Sequence, residues 1–170
     1  NAKVMEMFRH ICDNVRDYND DDEIKAYLEK LVEGTEGDGS RKIYGLGHAV
    51  YTESDPRAEI LKKYAGEMAE IKGYGEQFRL MQNVERLGAP LIMEHKKLRT
   101  PICANVDMYS GLVYKILGIP EDLFTPLFAI ARIAGWCSHR IEEVVTCKKI
   151  IRPAYRAAFE KQEYVPMDER

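Results

Sequence analysis

Apolar residues recur at helical spacing along most of this chain. Val4, Met7, Ile11 and Val15 mark one face of a first helix, which ends before the acidic run N-D-D-D-E. That run lacks the central Gly and closing Glu of a calcium loop, so residues 20–23 read as the cap and first-turn charges of a second helix over 24–32. G-T-E-G-D-G-S, at 34–40, is a connector, and a short extended piece is expected at 42–44. Ile60, Leu61, Tyr64, Ala65 and Met68 restart a helical pattern, with Asp55 as its N-cap and Pro56 in its first position. Phe78, Met81, Val84 and Leu91 continue as helix, interrupted near G-A-P at 88–90. Leu112, Val113, Ile116 and Leu117 form a further apolar face, and a turn at G-I-P-E-D opens the longest helical segment, at 123–144. No run of strands and no repeat of 20–50 residues is visible, so the expected class is all-α and multi-helical.

Composition narrows the function classes. The 170 residues, 45% hydrophobic and 31% charged, suit one globular domain or one domain with part of another. A net charge of -3 argues against nucleic acid, which calls for a concentrated basic surface. The longest apolar run, at 123–134, is broken by Thr125, Pro126 and Arg132 and falls short of the roughly 18 residues of a membrane span. The cysteines form no C-x-x-C pair and read as free thiols, which fits a cytoplasmic location and no resident metal. The chain opens without an initiator Met, already inside an amphipathic pattern, as a piece of something longer would.

Candidate chemistry concentrates in K-I-Y-G-L-G-H-A-V-Y-T-E-S-D-P-R, residues 42–57. Glycines flanking a histidine let a ligand approach the backbone closely, and His48 there can donate a proton or a hydrogen bond near neutral pH. A loop histidine is more often structural, and the third glycine of a dinucleotide fingerprint is missing. Asp107, in A-N-V-D-M-Y-S-G, reads equally as a base or as an ordinary first-turn aspartate. Arg57 and Arg152 have solvated readings as well. Arg132 interrupts F-A-I-A-R-I-A-G-W, where a buried guanidinium would require an anion. Several arginines converging on one site would suit a substrate with two or more carboxylates.

The combination says more than its parts. G-L-G-H-A-V-Y-T-E-S-D-P-R, then N-V-D-M-Y-S-G, then A-R-I-A-G-W and R-P-A-Y resemble the citrate synthase family in order and spacing, over essentially the whole chain. The resemblance implies that His48 hydrogen-bonds and protonates the oxaloacetate carbonyl, and that Asp107 takes a proton from the methyl group of acetyl-CoA. It implies that Arg57 and Arg132 hold oxaloacetate carboxylates, and that Arg152 reaches the active site of the partner subunit in a homodimer. Gly45, Leu46, Gly47 and Ala49 would meet coenzyme A, which enters as a substrate, with no cofactor required. The implied domains are a small helical one at 1–118 and, at 119–170, a helix and tail belonging to the large domain.

Two departures accompany the resemblance. The family's enol-stabilising histidine belongs to an H-G-G-A-N stretch whose last residue Asn1 matches, so that donor and a further substrate histidine lie upstream of residue 1. At Thr52 many members carry a basic residue for the coenzyme A phosphates, a role Lys96, Lys97 or Arg99 is expected to take over. The chain is therefore expected to be a C-terminal fragment, inactive alone. The alternatives are a 2-methylcitrate synthase acting on propionyl-CoA and a non-catalytic helical interaction domain.

Overall fold

The structure, a computed structural model, describes residues 1–146 and Pro166. Its elements are α1 (Ala2–Asn14), α2 (Asp21–Glu33), α3 (Pro56–Lys72), α4 (Gly75–His95), α5 (Asp107–Ile116), a 3-10 turn (Glu121–Leu123) and α6 (Phe124–Thr146). Among the described residues the elements are all helical; the expected extended piece at 42–44 is not a strand, and an isolated bridge instead pairs Leu46 with Ala104. No helix among them is long and apolar enough to cross a membrane.

Local chemistry sets the helix ends. Asp20 accepts the N–H groups of Asp22 and Glu23, and Gly34 closes α2 at φ +80°. Asp55 accepts the N–H of Arg57 at the start of α3, Pro56 occupies the first turn, and Gly73 ends the helix at φ +78°. The core joins Val4, Phe8 and Ile11 of α1 with Ile24, Leu28 and Leu31 of α2, Leu80 and Val84 of α4, and Met108, Tyr109 and Leu112 of α5.

One expectation about helix extent needs correction. The break at 88–90 does not occur: α4 runs on through Pro90 to His95. An interior proline costs about 3 kcal/mol by removing a hydrogen bond and crowding the preceding turn. Here Val84 and Ile92 are buried on either side, and Gly88 packs under Ile43 and Leu46, where a Cβ would lie 2.9 Å from Leu46 Cδ1. Tertiary packing holds the helix that the local sequence disfavours. The expected helix after D-P-R is α3, but its packing face is not made by its largest apolar residues. Ile60 and Tyr64 are more than half exposed, and the buried face is Ala58, Ala65 and Ala69, whose small side chains let α3 lie close along α5.

The chain divides into two compact units, the first being Asn1–Ala129 and the second starting at Ile130. Within the first, Phe124 is buried and meets Tyr114 edge-on, with ring centroids 5.2 Å apart. In the second, Ile130, Ile133 and Trp136 of α6 are exposed.

Candidate active site

The glycine loop is stitched to the segment that leads into α5. Gly47 N–H donates to Cys103 O at 2.8 Å, and Asn105 N–H donates to Gly45 O at 2.8 Å. Asn105 Nδ2 donates to Gly47 O at 2.9 Å, while its Oδ1 accepts the N–H of Asp107 at 3.0 Å. One residue thus fixes both glycine carbonyls, Gly45 through its backbone N–H and Gly47 through its side chain, and its side chain also holds the start of the helix bearing Asp107. Gly45 and Gly47 adopt φ +91° and +86°, which suit glycine. A Cβ on Gly45 would also stand 3.1 Å from Met108 Cα, so loop and helix meet backbone to backbone.

His48 and Arg57 come together at one end of this loop. His48 Nδ1 accepts the N–H groups of Val50 at 3.0 Å and Tyr51 at 3.1 Å. An acceptor at Nδ1 leaves the proton of a neutral ring on Nε2. Nε2 lies 3.3 Å from Arg57 Nη2, which can only donate. Two donors therefore lie side by side at 3.3 Å, where an acceptor oxygen placed next to them could accept from both. Tyr51 backs the pair, its ring 4.8 Å from that of His48 and 5.6 Å from the Arg57 guanidinium carbon.

Asp55 fixes Arg57. Its carboxylate, 1% exposed, accepts the backbone N–H of Arg57 at 3.0 Å, Nε at 2.9 Å and Nη2 at 2.7 Å. Those side-chain bonds are the main cause that holds the Asp55 carboxyl below its ordinary range, against the opposing effect of burial. A carboxylate whose folded pKa is depressed stabilises the fold above its unfolded pKa of about 3.9, and that stabilisation disappears as pH falls further through the folded value. Asp55→Asn, which keeps the capping oxygen, is therefore expected to lose about 1.5–3 kcal/mol at neutral pH, the worth of a hydrogen bond to a charged group. The gap to the wild-type protein should narrow below about pH 4. Thermal melts of both proteins from pH 3 to pH 7 check this, and a gap independent of pH would show that the bonds do not depend on Asp55's charge.

Asp107 opens α5, and its side chain is 35% exposed. Asn1 Nδ2 approaches its Oδ1 at 3.4 Å and reaches Ser110 Oγ at 2.5 Å. Asp107 lines a cleft of about 360 Å³, walled by Gly45, Leu46 and Gly47, with Ile92, Leu98 and Ile102 as apolar lining and Lys3, Lys42 and Lys96 as cationic groups. That volume falls within the range of small-molecule sites. Asp107 also acts on Arg57 electrostatically: bonds to Asp55 chiefly raise the guanidinium pKa, and Asp107 adds to the effect.

The structure therefore unites His48 with Arg57, and Asp107 with the Gly45–Leu46–Gly47 wall. Ala49 and Thr52 are exposed and do not line the cleft. Of the three basic residues expected to replace a cation at Thr52, Lys96 lines the cleft, and Lys97 and Arg99 do not. Lys42 and Lys3 were not anticipated; Lys3 already pairs with Glu6 at 2.9 Å and Asp38 at 3.3 Å. Asn105 was missed too, although an Asn two residues before a helix start is a local capping signal. Arg132 lies exposed on α6 in the second unit, so the buried-charge argument for it does not hold here. Arg152 lies outside the described residues.

Comparison with known proteins bears on this geometry. Residues 1–154 match the family model "Citrate synthase, C-terminal domain". A citrate synthase of Synechocystis is 40% identical over 148 residues, covering 86% of this chain and 34% of the relative. Citrate synthase 2 of Bacillus subtilis is 36% identical, covering 100% of this chain and 40% of the relative. Among solved structures, citrate synthase from Thermotoga maritima matches with a TM-score of 0.64 at 32% identity, over 99% of this chain and 41% of that one. A ternary complex of carboxymethyl coenzyme A and oxaloacetate with citrate synthase from Thermoplasma acidophilum matches with a TM-score of 0.63 at 30% identity, over 100% of this chain and 42% of that one. The chain thus spans well under half the length of these relatives.

Proposed function

The chain belongs to the citrate synthase family, and on that footing we propose that it carries part of the active site of an enzyme that condenses acetyl-CoA with oxaloacetate and water to give citrate and CoA. One observation carries the reading: His48 Nε2 and Arg57 Nη2, both donors, converge at 3.3 Å, as a keto acid with a carbonyl beside a carboxylate would require. Asp107 takes a proton from the acetyl methyl group, and the resulting enolate carbon attacks the keto carbon of oxaloacetate. The carbonyl oxygen gains negative charge as that bond forms, and His48 Nε2 hands it a proton while Arg57 stabilises the adjacent carboxylate. Water then cleaves the thioester and releases CoA. The thioester lies along the cleft, its acetyl end at Asp107 and its phosphates toward Lys42 and Lys96. The family's donor for the enolate oxygen is a histidine that none of these 170 residues matches, and on this reading the chain alone is inactive. We carry residues 1–118 as the small domain, 119–170 as part of the large one, and Arg132 and Arg152 as further carboxylate ligands, the latter reaching across a homodimer.

The test follows thiol release in the complete enzyme containing this segment and in the 170-residue chain. Release from the complete enzyme should require both oxaloacetate and acetyl-CoA, and the isolated chain should give none. Faster release with propionyl-CoA would reassign the enzyme to 2-methylcitrate synthesis, since one methylene changes discrimination by only about 1–3 kcal/mol. No release with either thioester would favour a non-catalytic helical domain.

A further inference from the structure

Away from the cleft, helices α3, α4 and α5 meet at one carboxylate. Glu85 of α4 accepts a hydrogen bond from Tyr109 Oη of α5, and the same oxygen lies 2.7 Å from Lys62 Nζ of α3. Lys62 also stands over the Tyr109 ring, with Nζ 5.6 Å from its centroid. The Tyr109 side chain is fully buried, so its hydroxyl has Glu85 as partner rather than bulk water. Burial, and then the carboxylate beside it, push the phenol pKa up, so Tyr109 stays a donor.

Such a cluster is a poor device for stability alone. The Lys62 and Glu85 side chains are 32% and 21% exposed, so their ion pair contributes little to stability, and the better attested use of a buried polar group such as the Tyr109 hydroxyl is to fix register. Register needs fixing here. The fully buried positions of α3 are Ala58, Ala65 and Ala69, small side chains that lock one helix weakly against the next, with Leu61 and Met68 packed partly buried beside them. The N-terminus of α3 carries Arg57, and that of α5 carries Asp107. Lys62 lies about a turn and a half beyond Arg57, and Tyr109 about half a turn beyond Asp107. Glu85 is one turn before Gly88, where α4 packs against Leu46 of the glycine loop.

We infer that Glu85, with Lys62 and Tyr109, forms a positioning cluster that sets the separation of Asp107 from His48 and Arg57. It rests on the reaction assigned above. The cluster touches no substrate, and the keto-acid half of the site, built on the loop and the start of α3, forms without it. Its loss should therefore lower turnover and spare oxaloacetate binding.

The experiment uses the complete enzyme, with Tyr109→Phe, which removes one hydroxyl, and Glu85→Gln, which keeps an acceptor oxygen for that hydroxyl. Oxaloacetate affinity is measured by calorimetry and kcat by thiol release, at a temperature where circular dichroism shows each protein fully folded. Tyr109→Phe should lower kcat about tenfold or more while the oxaloacetate Kd stays within about twofold, since misplacing reacting groups by about 1 Å can cost a hundredfold. Glu85→Gln should retain most of the wild-type kcat. Unchanged kcat in Tyr109→Phe, with or without a lower Tm, overturns the inference and leaves the proposed reaction standing. Failure of Tyr109→Phe to fold passes the decision to Glu85→Ala, which removes the shared acceptor: a kcat loss there with oxaloacetate Kd kept supports the inference, and an unchanged kcat overturns it. A wild-type enzyme without thiol release overturns the reaction and the inference together.

Discussion

Asp107→Asn in the complete enzyme is expected to lower turnover by at least about a hundredfold, the lower end of what a positioned base contributes. The fold should survive. The Asp107 side chain is 35% exposed and its carboxylate meets Asn1 Nδ2 at 3.4 Å and the Asn1 backbone nitrogen at 3.6 Å, both long contacts of a carboxylate that is not buried. The structural loss is confined to a charge near a helix N-terminus, about 0.3–1 kcal/mol. An asparagine there keeps the size and the acceptor oxygen but cannot take a proton from carbon. Thiol release, read beside oxaloacetate affinity and Tm, separates these contributions. Turnover that stays at the wild-type level would remove Asp107 from the mechanism and return it to the role of a first-turn aspartate.

What was legible in the sequence was what neighbouring residues decide. Asp20 and Asp55 cap helices through N–H groups two or three positions on, so D-D-D-E and D-P-R announced α2 and α3. The course of α4 through Pro90 was not legible, because Ile43 and Leu46 hold it from outside the helix. Nor was the buried face of α3: Ile60 and Tyr64 outweigh the alanines in any hydrophobicity pattern, yet only the alanines allow close approach to α5. The site divides in the same way. His48, Arg57 and Asp107 were marked by their motifs, but the orientation of His48 Nε2 toward Arg57 depends on how the loop turns back on Nδ1. Asn105 ties the glycine loop to α5 through a carbonyl 58 positions away, and Glu85 meets its partners 23 and 24 positions away. Such pairings exist only once the helices have packed.

Arg57→Ala is expected to weaken oxaloacetate binding in the complete enzyme by at least about a hundredfold, since two charge-assisted hydrogen bonds contribute about 3–6 kcal/mol together. That variant alone is ambiguous. It leaves the Asp55 carboxylate 1% exposed and stripped of its guanidinium, so Tm should fall for a reason unrelated to the ligand. Pairing it with Asp55→Asn resolves the ambiguity: the amide removes the stranded charge while its oxygen still accepts the N–H that starts α3. The double variant should recover Tm relative to Arg57→Ala and remain as deficient in oxaloacetate affinity by calorimetry. Arg57→Lys keeps the charge but not the fork that grips Asp55 through Nε and Nη2, so it should fall between the wild-type enzyme and Arg57→Ala. Recovery of affinity along with Tm in the double variant would mean that Arg57 serves the helix start and not the keto acid.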